Sequence, residues 1–223
     1  MQYANITPAV FVARLNRFTA RVLLQGAEET VHVKNTGRLG ELLVPGAEVF
    51  LTAPGSPGRK TACDLVSVRT ANGALFNIDS FAPNAAVGEW LKTQAFDRIV
   101  PEYTYGASRI DFYMERGGVR YLMEVKGCTL VREGVGYFPD APTERGIKHL
   151  NELAKAAGEG FRAFLAFVIQ TEGVSLVRPN TDTHPAFAEA LAAAMAAGVR
   201  VLYLPCAVTP DSLSISNEIK EKI

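Results

Sequence analysis

Residues 161–170 read FRAFLAFVIQ, and this run constrains the fold more than any other. A strand with one face in water alternates apolar and polar residues, because successive side chains point to opposite faces. Residues 163–169 are apolar without a break. A run of strand length with no alternation is a strand buried on both faces, which requires helices packed on both sides of its sheet. Suitable helices flank it. On the N-terminal side a helix starts near Thr143, which is placed to cap it. In it Ile147, Leu150, Leu153, Ala154 and Ala157 fall on one side at helical spacing, and Arg145, Lys148, His149 and Glu152 fall on the other. On the C-terminal side HPAFAEALAAAMAAG reads as a helix with Pro185 near its start and Gly198 as terminator, and VRVLYL follows as a last strand. Strands alternating with helices give an α/β core with a partly parallel sheet.

The first eighty residues have another character. VFVARLNRFTARVLLQ, TVHVKN, GAEVFLT, CDLVSVRT and ALFNIDS are strand candidates. Turn material separates them: Gly26, Asn35-Thr36-Gly37, Pro45-Gly46, Pro54-Gly55-Ser56-Pro57-Gly58 and the hairpin signal Asn72-Gly73. Short strands at this density suggest a small closed barrel of the OB type, with a two-sheet sandwich as the competitor. After Asp79 the pattern changes. AAVGEWLKTQAF is helical, with Asn84 as the expected N-cap, and a strand follows near Ile99–Tyr103. The chain therefore divides into a β-domain over residues 1–81 and an α/β domain over residues 82–223.

The chemistry-bearing segment is SRIDFYMERGGVRYLMEVKG. It reads as a β-hairpin turned at Arg116-Gly117-Gly118. Glu124 and Lys126 share one face of their strand, and in the simplest register Asp111 joins them. Two carboxylates and a lysine are the inventory for holding a divalent cation against a phosphodiester. The competing reading is a surface pair of little energetic consequence. The strongly apolar strand around Glu124 favours the first, since charges in a buried element need partners. Glu89, on the preceding helix, is a candidate third ligand, with Glu102 as its rival. The stripe of Arg145, Lys148 and His149 suits flanking phosphates, although a solvated helix face is the commoner fate of such residues. Cys128 beside this site reads as packing. In the β-domain Arg14, Arg17, Lys34 and Arg38, with Arg21, Arg59 and Lys60, recur near Phe11, Phe18 and Phe50. Cations among aromatic rings are how OB-type barrels hold single strands.

Composition narrows the field without choosing. Apolar residues make up 48% of the 223, enough for a real core, and the charges balance at 23 of each sign, so a polyanion would need a local basic patch. The three cysteines, Cys63, Cys128 and Cys206, form no CxxC pair, which argues against a zinc site or a disulfide framework. There is no signal-peptide pattern and no apolar run long enough for a membrane span, so a cytoplasmic setting is expected.

Four segments together, KNTGRLGELLVPG, YGASRIDF, YLMEVKGCTLV and FPDAPTERGIKHLNEL, resemble the sugar fermentation stimulation protein family. The resemblance implies an N-terminal OB-like barrel and a C-terminal domain similar to the PD-(D/E)xK nucleases. Asp111 would be the motif's first acid, and Glu124 and Lys126 its (D/E)xK pair. The backbone carbonyl of Val125 and the carboxylate of Glu89 would be further ligands of Mg²⁺ or Mn²⁺. The family is associated with DNA binding and linked to regulation of sugar, notably maltose, metabolism. The function expected is thus a metal-dependent phosphodiesterase acting on single- or double-stranded DNA. The alternative is a DNA-binding transcriptional regulator that does not cleave. Retained acids argue against the alternative, because they repel phosphate unless a cation neutralises them. The chain departs from the family pattern at His184, where an acid is expected, and in lacking a proline before Asp111, which Ser108-Arg109-Ile110 precedes.

Overall fold

The computed structural model describes residues 1–53, 58–216 and 223. The first domain is built from β1 (Ile6–Arg14), β2 (Thr19–Leu24), β3 (Ala27–Val33), β4 (Glu48–Thr52), β5 (Asp64–Arg69) and β6 (Leu75–Asn77). The order β3-β2-β1-β4-β5-β6 becomes a closed cycle through a short parallel pairing of β3 with β5, His32 to Asp64 and Val33 to Leu65. That closure decides for the barrel over the sandwich. Its interior is apolar, with Phe11, Val22, Val49, Leu65 and Ile78 fully buried.

The stretch VFVARLNRFTARVLLQ forms two strands, not one. Asn16 Oδ1 accepts from the N–H groups of Phe18 (2.8 Å) and Thr19 (3.0 Å), which turns the chain between β1 and β2. Asn72-Gly73 makes the expected turn from β5 to β6, with Gly73 at φ 88°. Of the proposed turn at 54–58, residues 54–57 lie outside the described residues.

The second domain runs α1 (Ala82–Leu91), β7 (Arg98–Tyr105), β8 (Ser108–Arg116), β9 (Val119–Cys128), β10 (Leu130–Arg132), β11 (Val135–Phe138), α2 (Glu144–Gly158), β12 (Arg162–Ile169), β13 (Val177–Pro179), α3 (Pro185–Ala196), β14 (Arg200–Thr209) and β15 (Ser212–Ile215). Its main sheet is mixed, in the order β15-β14-β12-β9-β8-β7. β12, the uninterrupted apolar run, is central and parallel to both β9 and β14. Helix α1 covers one face through Ala82, Ala86, Val87 and Leu91, packed on Phe112 and Met123. Helices α2 and α3 cover the other through Leu150, Leu153 and Phe187, packed on Leu122 and Leu165. Removal of these faces from water on both sides of β12 is the largest stabilising contribution the sequence offers this domain.

The helix starts differ in how well local pattern foretold them. Thr143 caps α2, its Oγ1 accepting from Gly146 N at 3.0 Å. Pro185 opens α3, and Gly198, at φ 101°, follows its end. His184 stands at the N-cap of α3, and its Nδ1 accepts from Thr143 N at 3.2 Å, which joins the starts of the two helices. Asn84 does not cap α1. Phe81 holds the cap position, and Asn84 sits one turn inside. Between β9 and α2, β10 and β11 form a small sheet with β13.

Candidate functional site: two carboxylates at a strand fork

The β8–β9 hairpin turns at Gly117 (φ 56°) and Gly118 (φ 77°), a two-residue turn of the kind that matches strand twist. From there the ladder runs from Arg116–Val119 to Phe112–Met123 and stops. Continued by one step, it would set Asp111 directly opposite Glu124. Instead the strands part, and the side chain of Asp111 takes over from the backbone. Its Oδ2 accepts from Val125 N at 2.7 Å, and its Oδ1 accepts from Asn84 Nδ2 at 2.7 Å. Val125 is 5% exposed, so its N–H needs an acceptor, and the fork supplies a carboxylate.

Glu124, the next residue along β9 after Met123, is 2% exposed. Its Oε1 accepts from Lys126 Nζ and from His149 Nδ1 on α2, while its Oε2 is buried without a partner. Burial pushes the Glu124 carboxyl up, but the His149 hydrogen bond and the Lys126 ammonium outweigh it and hold the group below the usual carboxylate range. Asp111 goes the other way. Burial and the nearby Glu124 charge raise it, against the Val125 N–H, Lys126 and Asn84. The two acids therefore feel each other across the fork, one held ionised and the other pushed toward its proton.

On the α1 side of the fork lies a cavity of about 520 Å³ whose lining includes Asn84, Gly88, Glu89, Lys92, Glu102 and Asp111. Glu89 is exposed on its wall and pairs with the N-terminal ammonium at 2.6 Å. Glu102 pairs with Arg109 at 2.9 Å. Among the described residues no group of three or more His, Cys, Asp or Glu side chains is gathered for a metal ion. The acids at the fork are a pair, not a cluster.

The family profile described as "Sugar fermentation stimulation protein RE domain" matches residues 81–212, and that described as "SfsA N-terminal OB domain" matches residues 12–78. The sugar fermentation stimulation protein homolog of Desulfitobacterium hafniense (strain Y51) is 46% identical over 100% of this chain and 99% of its own. The chain belongs to the sugar fermentation stimulation protein family. The homolog of Ruminiclostridium cellulolyticum is 41% identical over 100% of both chains. Among solved structures, one described as Pyrococcus furiosus SfsA in complex with Ca²⁺ superposes with a TM-score of 0.84, at 28% identity and 96% coverage of each chain.

In this sugar fermentation stimulation protein family member the basic residues singled out by sequence divide into two groups. Arg17, Arg38, Arg145 and Lys148 are exposed. Arg14 is turned inward: its Nε donates to Asn16 O (2.9 Å), and its Nη2 donates to the carbonyls of Arg17 (2.6 Å) and Asn35 (2.8 Å), so it ties loops together. Lys34 pairs with the buried Asp79 at 2.7 Å. His149 is buried against Glu124 and not on the outer stripe with Arg145 and Lys148. Helical spacing cannot distinguish a polar residue facing water from one facing a buried acid. Cys128 is packed inside with its thiol pushed up to about 12 by burial, as expected of a structural cysteine. Sequence reasoning missed Asn84 as the partner of Asp111. Nothing local marks it, because the residue type that caps a helix also serves as an amide donor.

Proposed function

We propose that this protein is a divalent-metal-dependent phosphodiesterase acting on DNA. The observation that carries the reading is the unpartnered, buried Oε2 of Glu124, on a strand whose Val125 N–H is held by a second carboxylate. A buried anionic oxygen with no partner is costly. A hard cation between Glu124 and Asp111 would relieve both the unpartnered Oε2 and the burial and Glu124 repulsion that raise Asp111. Carboxylate and carbonyl oxygens suit Mg²⁺ or Mn²⁺. The Val125 carbonyl is the third ligand that the resemblance implies. Glu89 becomes a fourth only by leaving the N-terminal ammonium. The Pyrococcus furiosus relative was solved with Ca²⁺, a cation of the same ligand preference.

Bound there, the metal would supply Lewis acidity toward a phosphoryl oxygen and offset its charge. The chain's own residues do the positioning. His149 and Lys126 hold Glu124 ionised and oriented, and Asn84 and the Val125 N–H orient Asp111, whose carboxyl is still raised by burial and the Glu124 charge. The Lys126 ammonium, half-buried against Glu124 and within electrostatic reach of Asp111, orients the attacking water or meets the developing charge. Arg145 and Lys148 on α2, and Arg17, Lys34 and Arg38 on the barrel, contact flanking phosphates. A cytoplasmic location is consistent with such a substrate.

The test is cleavage. Purified protein is incubated with single- and double-stranded DNA in Mg²⁺ or Mn²⁺, next to Asp111→Ala. Metal-dependent cutting that the variant lacks supports the reading. DNA binding without cutting in any metal transfers support to a regulator that does not cleave. Neither binding nor cutting at low salt removes both.

A further inference from the structure

Phe81 is 71% exposed, more than any other large apolar side chain among the described residues. Its ring belongs to none of the buried apolar clusters. Phe81 occupies the N-cap of α1, where a side chain with an oxygen would stabilise the helix, and it makes no cap hydrogen bond. Its surroundings are specific. Lys34 Nζ lies 5.7 Å from the ring centroid. Lys34, the residue after β3, is joined to the residue before Phe81, since Ser80 donates to Lys34 O through both its N–H (2.9 Å) and its Oγ (2.8 Å). One helical turn past Phe81 is Asn84, which holds Asp111. Residues three apart on a helix are neighbours on one side. Phe81 is therefore flanked in the chain by Ser80, which is bonded to Lys34, and by Asn84, which is bonded to Asp111. On the barrel side of Lys34, Val33 N donates to Phe18 O at 2.8 Å, and Phe18 is itself 52% exposed beside Arg17.

We propose that Phe81 is a stacking platform for an unpaired base, and that the nucleic acid reaching Asp111 and Glu124 is a single strand or an unpaired segment. The site's location rests on the phosphodiesterase reading, and the state of the substrate goes beyond it. Within a duplex both faces of each base are covered by neighbouring bases, so an exposed ring can stack only on a base that is unpaired or swung out. Phe81 meets the base, Lys34 meets the adjoining phosphate, and the next phosphate along falls toward the fork. Phe18 and Arg17 extend the same track onto the barrel.

Binding of a short fluorescently labelled oligothymidylate and of a duplex of equal length, measured by anisotropy in Ca²⁺, tests this, with cleavage in Mn²⁺ scored in parallel. Wild type should prefer the single strand. Phe81→Ala should weaken single-strand binding roughly ten- to a hundred-fold and leave duplex binding unchanged, and Phe81→Tyr should restore it. Single-strand affinity unaltered in Phe81→Ala, or a wild-type preference for duplex, overturns the proposal. If Mn²⁺-dependent cutting persists in that case, only the stacking role falls. Absence of any binding or cutting at low salt removes the phosphodiesterase reading with it.

Discussion

Replacing Asp111 by two different residues separates its structural role from its proposed metal role. In Asp111→Ala the N–H of Val125 and the amide of Asn84 both lose their acceptor. A buried donor left unsatisfied costs about 1–3 kcal/mol. Removing a charge that burial and Glu124 both disfavour offsets part of that. The net loss without metal is then about 1–2 kcal/mol, which for a chain of this size lowers Tm by about 2–8 °C. Asp111→Asn keeps an oxygen for Val125 N, and a turn of the Asn84 amide satisfies the new NH₂. Without metal this variant should be at least as stable as wild type. Its advantage also depends on pH. Because Asp111 is raised in the folded state, the stability it contributes is fully present below its unfolded pKa and is lost as pH rises through the raised value. The gain from Asn is therefore largest near neutrality. Mn²⁺ at about a hundredfold over its Kd should stabilise wild type by about 2.7 kcal/mol, and both variants should lose most of that shift. Thermal denaturation in EDTA at several pH values, and in Mn²⁺, measures each of these. A full Mn²⁺ shift in Asp111→Asn, or an Asp111→Ala protein more stable than Asp111→Asn in EDTA, refutes the reasoning.

His149→Ala should reduce Mn²⁺ affinity about 10- to 100-fold by titration calorimetry, since Glu124 loses the buried partner that orients it, and unchanged affinity would show that His149 positions nothing. Gln170→Leu should lower stability to urea by about 2–4 kcal/mol, because Gln170 Nε2 reaches Asn77 O (3.1 Å), Asn77 Oδ1 (3.0 Å) and Asp79 O (3.1 Å) across the domain interface; an unaltered midpoint would mean that these acceptors find other donors. In the native protein a thiol reagent should modify Cys63 alone. Cys128 and Cys206 are buried, with thiols pushed up to about 12 by burial, and should react only after unfolding. Native labelling of either would indicate that its end of the sheet opens.

Where neighbours in sequence carry the information, the chain is legible. The turns at Asn72-Gly73 and Gly117-Gly118, the Thr143 cap and the apolar β12 each depend on contacts within a few residues or on a single period, and each stands where expected. Legibility fails where one residue type suits two partners. Asn84 can cap a helix or hold a distant acid, and only the packing of α1 beside β8 selects the second. His149 fits a wet stripe by spacing, yet it faces Glu124 because α2 lies against β9. The three- and four-residue strands of the β10–β11–β13 sheet are too short to show a period. Barrel closure through His32–Asp64 joins residues with no local signature.

The segment after Lys126 shows how closely the two domains pack against each other. Gly127 admits no side chain: a Cβ there would lie 2.3 Å from Gln170 Oε1 and 2.9 Å from Pro83 Cγ. The end of β9 is thus pressed against the start of α1 and against the glutamine that holds Asn77 and Asp79. Asp79 in turn pairs with Lys34 at 2.7 Å and accepts from Tyr3 Oη at 3.1 Å. A continuous series of buried contacts therefore runs from the strand carrying Glu124 and Lys126 to the barrel's basic edge, with Phe81 at its surface. Close packing of this kind transmits displacement and does not absorb it. Lys34 and Phe81 keep a fixed relation to the acid pair, so under the proposed reading a single strand lying along the barrel would reach the fork in one register. By resemblance the acids at the fork match a (D/E)xK pattern, but under the proposed function the alignment of a substrate on them would depend on the barrel and its packing through Gly127 and Gln170.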